Sequence, residues 1–458
     1  MIRYKIPRKY IAPLIACLCL GMSASSCVDD EVGCIEDKPG YVEGNDVWLS
    51  FTIKGEDPAP RSATSRTSAE APGSLFSRAD DDPDGNKHPA EAATAAENYI
   101  NRNDIRLLLF DNRDCLMKIF DNEEILVFDH PAGDNNTSSY EIKVKINRAY
   151  FDYAGTAEEF DMSFMLIANL NGFGEGSVKP FPTAASIPYM NRHTQLANEY
   201  YDFTYTPGTE ETPWFPNKDD KAIPMSGLKK YTVSLAAIDG ATDANQPYQL
   251  DGDNTDASPL LIQRAIAKIR VFDNIAEDAA TKITGFRIVG LNDHGTYLPD
   301  FSSDITTDSR YDWRNGTVMV EKASVKSEWF KPGLTAYSTR IEKPESDTDY
   351  RGDFTDGDKN EFKEAFVAYI PEADITTATD IPQLIITTQS ENDKTTANPD
   401  GVVNWPFSLK DIIKNEVIDI TRNHIYEFTV TRTIDSQLTL YYTVCPWLTE
   451  TVTLPPFN

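Results

Sequence analysis

The chain has 458 residues, 72 of them acidic against 43 basic, for a formal net charge of −29 at pH 7. That balance repels phosphate backbones and anionic lipid headgroups, which argues against a nucleic-acid partner or a charge-driven membrane surface. The length suits two domains of ordinary size.

In chain order, Arg3, Lys5, Arg8 and Lys9 come first, then the apolar run from Ile11 to Met22, then the small residues "SASS" before Cys27. This is the order of an export signal over 1–26 that is cut before a lipidated cysteine. The apolar run is too short to cross a hydrocarbon core of about 30 Å as a permanent helix. Ala24 stands where such signals usually carry leucine, so the alternative is an ordinary cleaved signal with a chance cysteine. Removing the signal makes the mature chain about four charges more negative. Residues 27–45 then form a tether, opening with the acidic "VDDEV".

"DVWLSFTIK" (46–54) alternates Val47, Leu49, Phe51 and Ile53 against Trp48, Ser50, Thr52 and Lys54, the period of a strand with one buried face. From 55 to 97 the sequence is rich in Ala, Ser, Pro, Asp and Thr with almost no apolar period, and is expected to be a long flexible loop. Within it "DDDPDGNKHPAE" matches a calcium-loop spacing through Asp80, Asp82, Asp84, Gly85 and Glu91. Lys87 replaces the usual apolar residue, Pro89 restrains the loop and no helix precedes it, so an acidic loop without metal is the favoured alternative. "AEAATAAENYI" near 90 and "SLKDIIKNEVI" near 410 are the few short helical windows.

"YEIKVKI", "IYEFTV" and "LTLYYTV" alternate with period two, as strands buried on one face do. "IRLLLF", "FMLIAN", "AFVAYI" and "QLIITT" are unbroken apolar runs, expected as central strands covered on both sides. "NGFGEGS" (171–177) resembles a phosphate-binding turn, but the prolines that follow preclude the helix whose N-terminus would hold the anion, and a plain loop is favoured. The aromatics of "NEYYDFTYTPGTEETPWF" (198–215) could stack on sugar rings; a variable loop is the favoured alternative. "DGDNTDASP" (251–259) has the composition of a link between domains. The strand-like "NDIRLLLFDN" and "RAIAKIRVFDN" resume after the two polar stretches and hint at related halves. "RGD" at Arg351, Gly352 and Asp353 lies in a polar hairpin-like setting and is treated as incidental.

The predicted fold is all-β, two antiparallel sandwiches over 46–257 and 258–458 with few short helices. With Cys27 lipidated, Cys34, Cys115 and Cys445 remain. They allow at most one disulfide; Cys115 with Cys445 fits, but isolated buried thiols are expected. The histidines His88, His130, His193, His294 and His424 lack metal-ligand spacing, and no G-x-S-x-G elbow occurs, so neither a cofactor nor an enzymatic activity is expected.

The succession "IRLLLFD", "LIANLNG", "IPMSG", "RAIAKIRV", "AYIPE", "RNHIYEFTV" and "VCPWL" resembles the fimbrillin superfamily, subunits of the type V pili of anaerobic Gram-negative bacteria. The resemblance runs from about residue 46 to the C-terminus, and "VDDEV" after Cys27 resembles the surface-export tag of lipoproteins in such bacteria. It implies transthyretin-like β-sandwich domains, an outer-membrane lipoprotein precursor and a final place in a cell-surface fimbrium. It also implies cleavage after a basic residue in the loop, with Arg66 preferred to Arg78 and Arg61 a third candidate. The strand bearing Val47, Leu49, Phe51 and Ile53 would then leave, and a strand of another subunit would fill its groove. Tyr442, Val444, Val452 and Leu454 are candidate donors, or they complete their own domain. The implied partners are other pilus subunits, the membrane lipid anchor during transport and a host or bacterial surface receptor or glycan. A shaft or tip subunit is expected first. An uncleaved anchor and a surface glycan-binding lipoprotein are the alternatives.

Overall fold

A computed structural model describes residues 43–55, 76–78, 91–112, 115–120, 124–129, 139–154, 157–174, 202–251, 258–273, 275, 280–291, 293–297, 334–342, 364–372, 382–409, 420–432 and 438–448. More than half of these residues are in strands and helix is limited to short turns, so the fold is all-β.

The first sheet path contains β1 (Asp46–Gly55), β4 (Ile105–Asp111), β5 (Leu116–Phe120), β6 (Ile125–Asp129), β7 (Ser139–Asn147), β8 (Glu159–Ala168), β10 (Met225–Ser234) and β12 (Leu260–Arg264). Its order is β5-β4-β8-β10-β12-β1-β7-β6, with the short β11 (Tyr248–Gln249) also on β1. Phe51 of β1 meets Phe164 of β8 and Tyr231 of β10, with ring centroids 5.2 and 5.8 Å apart, so the path folds back on itself and encloses a core.

A seven-stranded sheet follows. It contains β13 (Ile266–Asp273), β17 (Thr339–Glu342), β18 (Glu364–Pro371), β21 (His424–Arg432) and β22 (Leu438–Leu448) in the order β17-β18-β13-β21-β22. A four-stranded sheet, β16-β14-β19-β20, comprises β14 (Thr281–Leu291), β16 (Leu334–Tyr337), β19 (Gln383–Ser390) and β20 (Val402–Ser408).

Periodicity sets the faces. In β7, Tyr140, Ile142, Val144 and Ile146 are buried while Lys145 is exposed, as alternation requires. β4, β8 and β13 are buried almost along their length. β19 ("QLIITT" and its flanks) differs from the expectation of a strand covered on both sides. Leu384, Ile386, Thr388 and Ser390 are buried and Gln383 and Gln389 exposed, because its sheet packs one face inward.

Three further expectations are corrected. The stretch 55–97 is not loop throughout, since β2 (Phe76–Arg78) and β3 (Glu91–Ala92) lie parallel along β22. The helical window near 90 gives one turn. Thr94 N–H donates to Glu97 at 2.7 Å and Glu97 N–H to Thr94 Oγ1 at 3.3 Å, the reciprocal bonds of a capping box. The turn ends there, with the Glu97 carbonyl accepting from Arg264 Nε at 3.2 Å and Asn101 N–H donating to Asn169 Oδ1 at 2.8 Å. Cys115, expected as a free thiol, is buried and disulfide-bonded. The window near 410 falls mostly outside the described residues.

The hint of two halves takes a different form from the shared Phe-Asp-Asn ending. β4 lies between two antiparallel neighbours, whereas β13 has β18 antiparallel and β21 parallel. β1 shares the mixed arrangement of β13, being antiparallel to β7 and parallel to β12.

Candidate functional site

β1 is an interior strand. Its seam with β7 runs without a break from Asp46 opposite Asn147 to Lys54 opposite Ser139. Val47, Leu49, Phe51 and Ile53 are buried, none more than 3% exposed. Each such side chain contributes about 1.5–3 kcal/mol of burial. The residues between them carry the main-chain groups of the opposite seam. Trp48 N–H donates to Ala241 O at 2.7 Å, and Ser50 O accepts from Leu250 N–H at 2.8 Å. Ile53, Lys54 and Gly55 then pair with Leu260, Leu261 and Ile262. Between these pairings Thr52 N–H donates to Asp251 Oδ2 at 2.8 Å, a side chain standing where a strand carbonyl would. Withdrawing β1 would therefore expose unpaired backbone on both flanks of an aromatic slot.

After β3 the chain enters a buried polar knot. The Glu97 carboxylate meets Lys268 Nζ at 2.8 Å and accepts from the Tyr369 hydroxyl at 2.6 Å. Burial would raise its pKa; the Lys268 ammonium and the hydrogen bonds from Lys268, Tyr369 and Thr94 outweigh this and hold it below the ordinary value. Burial, and then the Glu97 charge, push the Tyr369 phenol well up. Arg264 donates to Asn423 Oδ1 at 2.8 Å, to Trp447 O at 3.0 Å and to Asn98 Oδ1, with its guanidinium 4.5 Å from the Trp447 ring centroid. The knot fastens the segment following the 56–90 stretch to β13, β18 and β22, so its role is mechanical. Nothing in the sequence pattern flagged it, because its members are 171 residues apart at Glu97 and Lys268 and buried charge has no local signature.

The proposed site residues fall as follows. Arg78 ends β2, opposite Tyr442. Cys27, Arg61, Arg66, Val452 and Leu454 lie outside the described residues, as do Asp80, Asp82, Asp84 and the "RGD" triplet. Glu91 is in β3, opposite Trp447. Tyr442 and Val444 lie in β22 opposite Phe428 and Tyr426 of β21, so here the strand completes its own sheet.

The idea of an exposed sugar-stacking surface in 198–215 is corrected for its described aromatics. Phe203, Tyr205 and Trp214 are buried and cluster on Phe173, with centroids 4.7 to 5.3 Å away. Gly172 of "NGFGEGS" serves close packing, since a Cβ there would lie 1.9 Å from Ala222 O. Beside it is a recess of about 450 Å³ lined by amides and carboxylates, among them Asn101, Asp104, Asn171 and Asp219. Both Asp104 oxygens are held by Asn171, at 2.7 and 2.8 Å. Among the described residues no group of His, Cys, Asp and Glu is arranged to hold a metal, and no helix is long and apolar enough to cross a membrane.

Asn169 of "LIANLNG" was not singled out by sequence reasoning beyond its place in the motif. It has a φ of 61° and is fully buried. Its side chain accepts from Asn101 N–H at 2.8 Å and donates to Tyr99 O at 2.8 Å and Ile223 O at 2.7 Å. It ties three segments at the end of β8.

No family model matches the chain, and no curated protein matches it. Among solved structures it is similar to the C-terminally truncated tip fimbrial protein Mfa3 of Porphyromonas gingivalis. Identity is 14% and the TM-score 0.43, over 88% of this chain and 100% of that one. It is also similar to a fimbrial assembly protein of Parabacteroides distasonis, at 13% identity and a TM-score of 0.39, over 86% of this chain and 98% of that one. Superpositions this loose assign neither fold nor role to the chain, which rest on its own residues.

Proposed function

We propose that this chain is a structural subunit, shaft or tip, of a cell-surface pilus that supports adhesion. It is delivered to the outer membrane through a lipid on Cys27 and is cut after an arginine of the 56–97 segment. β1 then leaves, and an extended strand of a second subunit, the same or a related chain, enters the vacated slot. The observation carrying this reading is the position of β1. An interior strand with its apolar face buried is joined to the rest of the fold through a long polar segment bearing Arg61, Arg66 and Arg78. Strand addition supplies main-chain bonds along the slot, and alternate side chains entering the core select the occupant. The fimbrillin-like order of sequence motifs supports the same assignment.

A second reading, an uncleaved anchor lipoprotein, is favoured by β2 and β3. Their pairing with β22 draws parts of the candidate cleavage segment into a sheet, which hinders protease entry.

Mass spectrometry of the N-terminus of protein recovered from cells decides between the two. A terminus directly after Arg61, Arg66 or Arg78 supports the pilus subunit. A lipid on Cys27 with 46–54 intact supports the anchor and overturns cleavage-driven assembly.

A further inference from the structure

Asp251 follows β11 and lies beside β1. It is 8% exposed, and Thr52 N–H is its only hydrogen-bond donor among the described residues. The second oxygen, Oδ1, is buried without a partner among the described residues. A carboxylate is an unusual element for a strand seam, because one carbonyl would satisfy Thr52 without placing a charge there.

Another parallel seam of this chain does without a side chain in the gap. The parallel seam of β13 with β21 runs through six consecutive residues, Lys268 to Asp273, in main-chain register. The parallel seam of β1 is interrupted, with Leu49 and Ser50 on β11, Ile53 to Gly55 on β12 and Asp251 in the gap. When β1 departs, Asp251 loses its donor and its carboxylate remains in the slot.

We propose that Asp251 is a specificity-determining residue of the slot, and that it admits only a strand presenting a backbone N–H at the position Thr52 now occupies. This deepens the strand-exchange reading and rests on it. The occupant is an extended segment of a second subunit. A strand with proline at that position leaves a buried carboxylate with no donor. A strand slipped by one residue still brings an N–H to that position, and is rejected instead because its apolar side chains turn to the outer face. Pairing along β7 uses the N–H groups of alternate residues that face the other way, and so does not test this position.

The test uses the full chain cut in the 56–97 segment, with synthetic peptides of the sequence DVWLSFTIKG as the incoming strand. One peptide is unmodified and one carries an N-methyl group on the threonine corresponding to Thr52. Native mass spectrometry reads peptide uptake together with departure of the original N-terminal fragment. N-methylation is expected to lower affinity about tenfold or more for the wild-type protein, and about threefold or less for Asp251→Ala. Asp251→Leu replaces Asp251→Ala if the alanine variant does not fold. An equal penalty in wild type and variant overturns the role of Asp251 while leaving strand exchange standing. Failure of the unmodified peptide to enter a protein that has lost its N-terminal fragment overturns both.

Discussion

Replacing Phe51 by alanine tests whether β1 is held by its inward face. Phe51 is 1% exposed and touches Phe164 and Tyr231 with centroids 5.2 and 5.8 Å away. The opposing rings belong to interior strands β8 and β10 and are themselves paired at 6.1 Å, so they have little freedom to collapse into the space left. Deleting a buried phenylalanine costs about 3–5 kcal/mol, lost transfer and residual cavity together. At about 1.4 kcal/mol per tenfold, β1 release from the cut protein becomes more favourable by about two to three and a half orders of magnitude. Lys54→Ala, on the opposite face of the same strand, removes no core contact and changes stability by about 0.5 kcal/mol or less. Urea unfolding of the intact chain measures the first quantity. Dissociation of the N-terminal fragment from protein cut in the 56–97 segment measures the second. Equal effects of Phe51→Ala and Lys54→Ala would refute the argument that the buried face, rather than the main-chain seams, decides how firmly β1 is held.

Glu97→Gln leaves the Lys268 ammonium buried without its counter-charge and should cost about 3–5 kcal/mol in urea unfolding at neutral pH. Because the folded Glu97 pKa lies below its ordinary value of 4.5, its contribution is fully present above that pH and is lost as pH falls through the folded value. The difference between wild type and Glu97→Gln should therefore narrow on acidification, and a difference that widens would contradict the ion pair. Gly227→Ala puts a Cβ 2.0 Å from Leu261 O, which forces β10 and β12 apart; a loss of about 1–3 kcal/mol is expected in thermal unfolding. Asn169→Ala removes buried side-chain bonds and strains a positive φ, and should cost about 3 kcal/mol. Asn169→Gly should recover only the backbone part, measured by the same assay.

The sequence by itself determined the strand faces and the all-β class. Alternating Val47, Leu49, Phe51 and Ile53 can share a face only if the backbone is extended, because successive side chains of a strand point to opposite sides. It also marked the long polar segment with its three arginines. What only the tertiary structure decided is which strands meet, since pairing is made by main-chain groups that every residue carries alike. The parallel placement of β1 beside β12, about two hundred residues later, leaves no local pattern. The pairing of β2 and β3 with β22 is equally silent, coming from a stretch whose composition signals a loop. Asp251 looks like one acid among many in a turn-forming link. Its burial against Thr52 arises only when the two segments are brought side by side, and there its charge, costly to leave unpaired, makes it a candidate determinant of what the slot accepts.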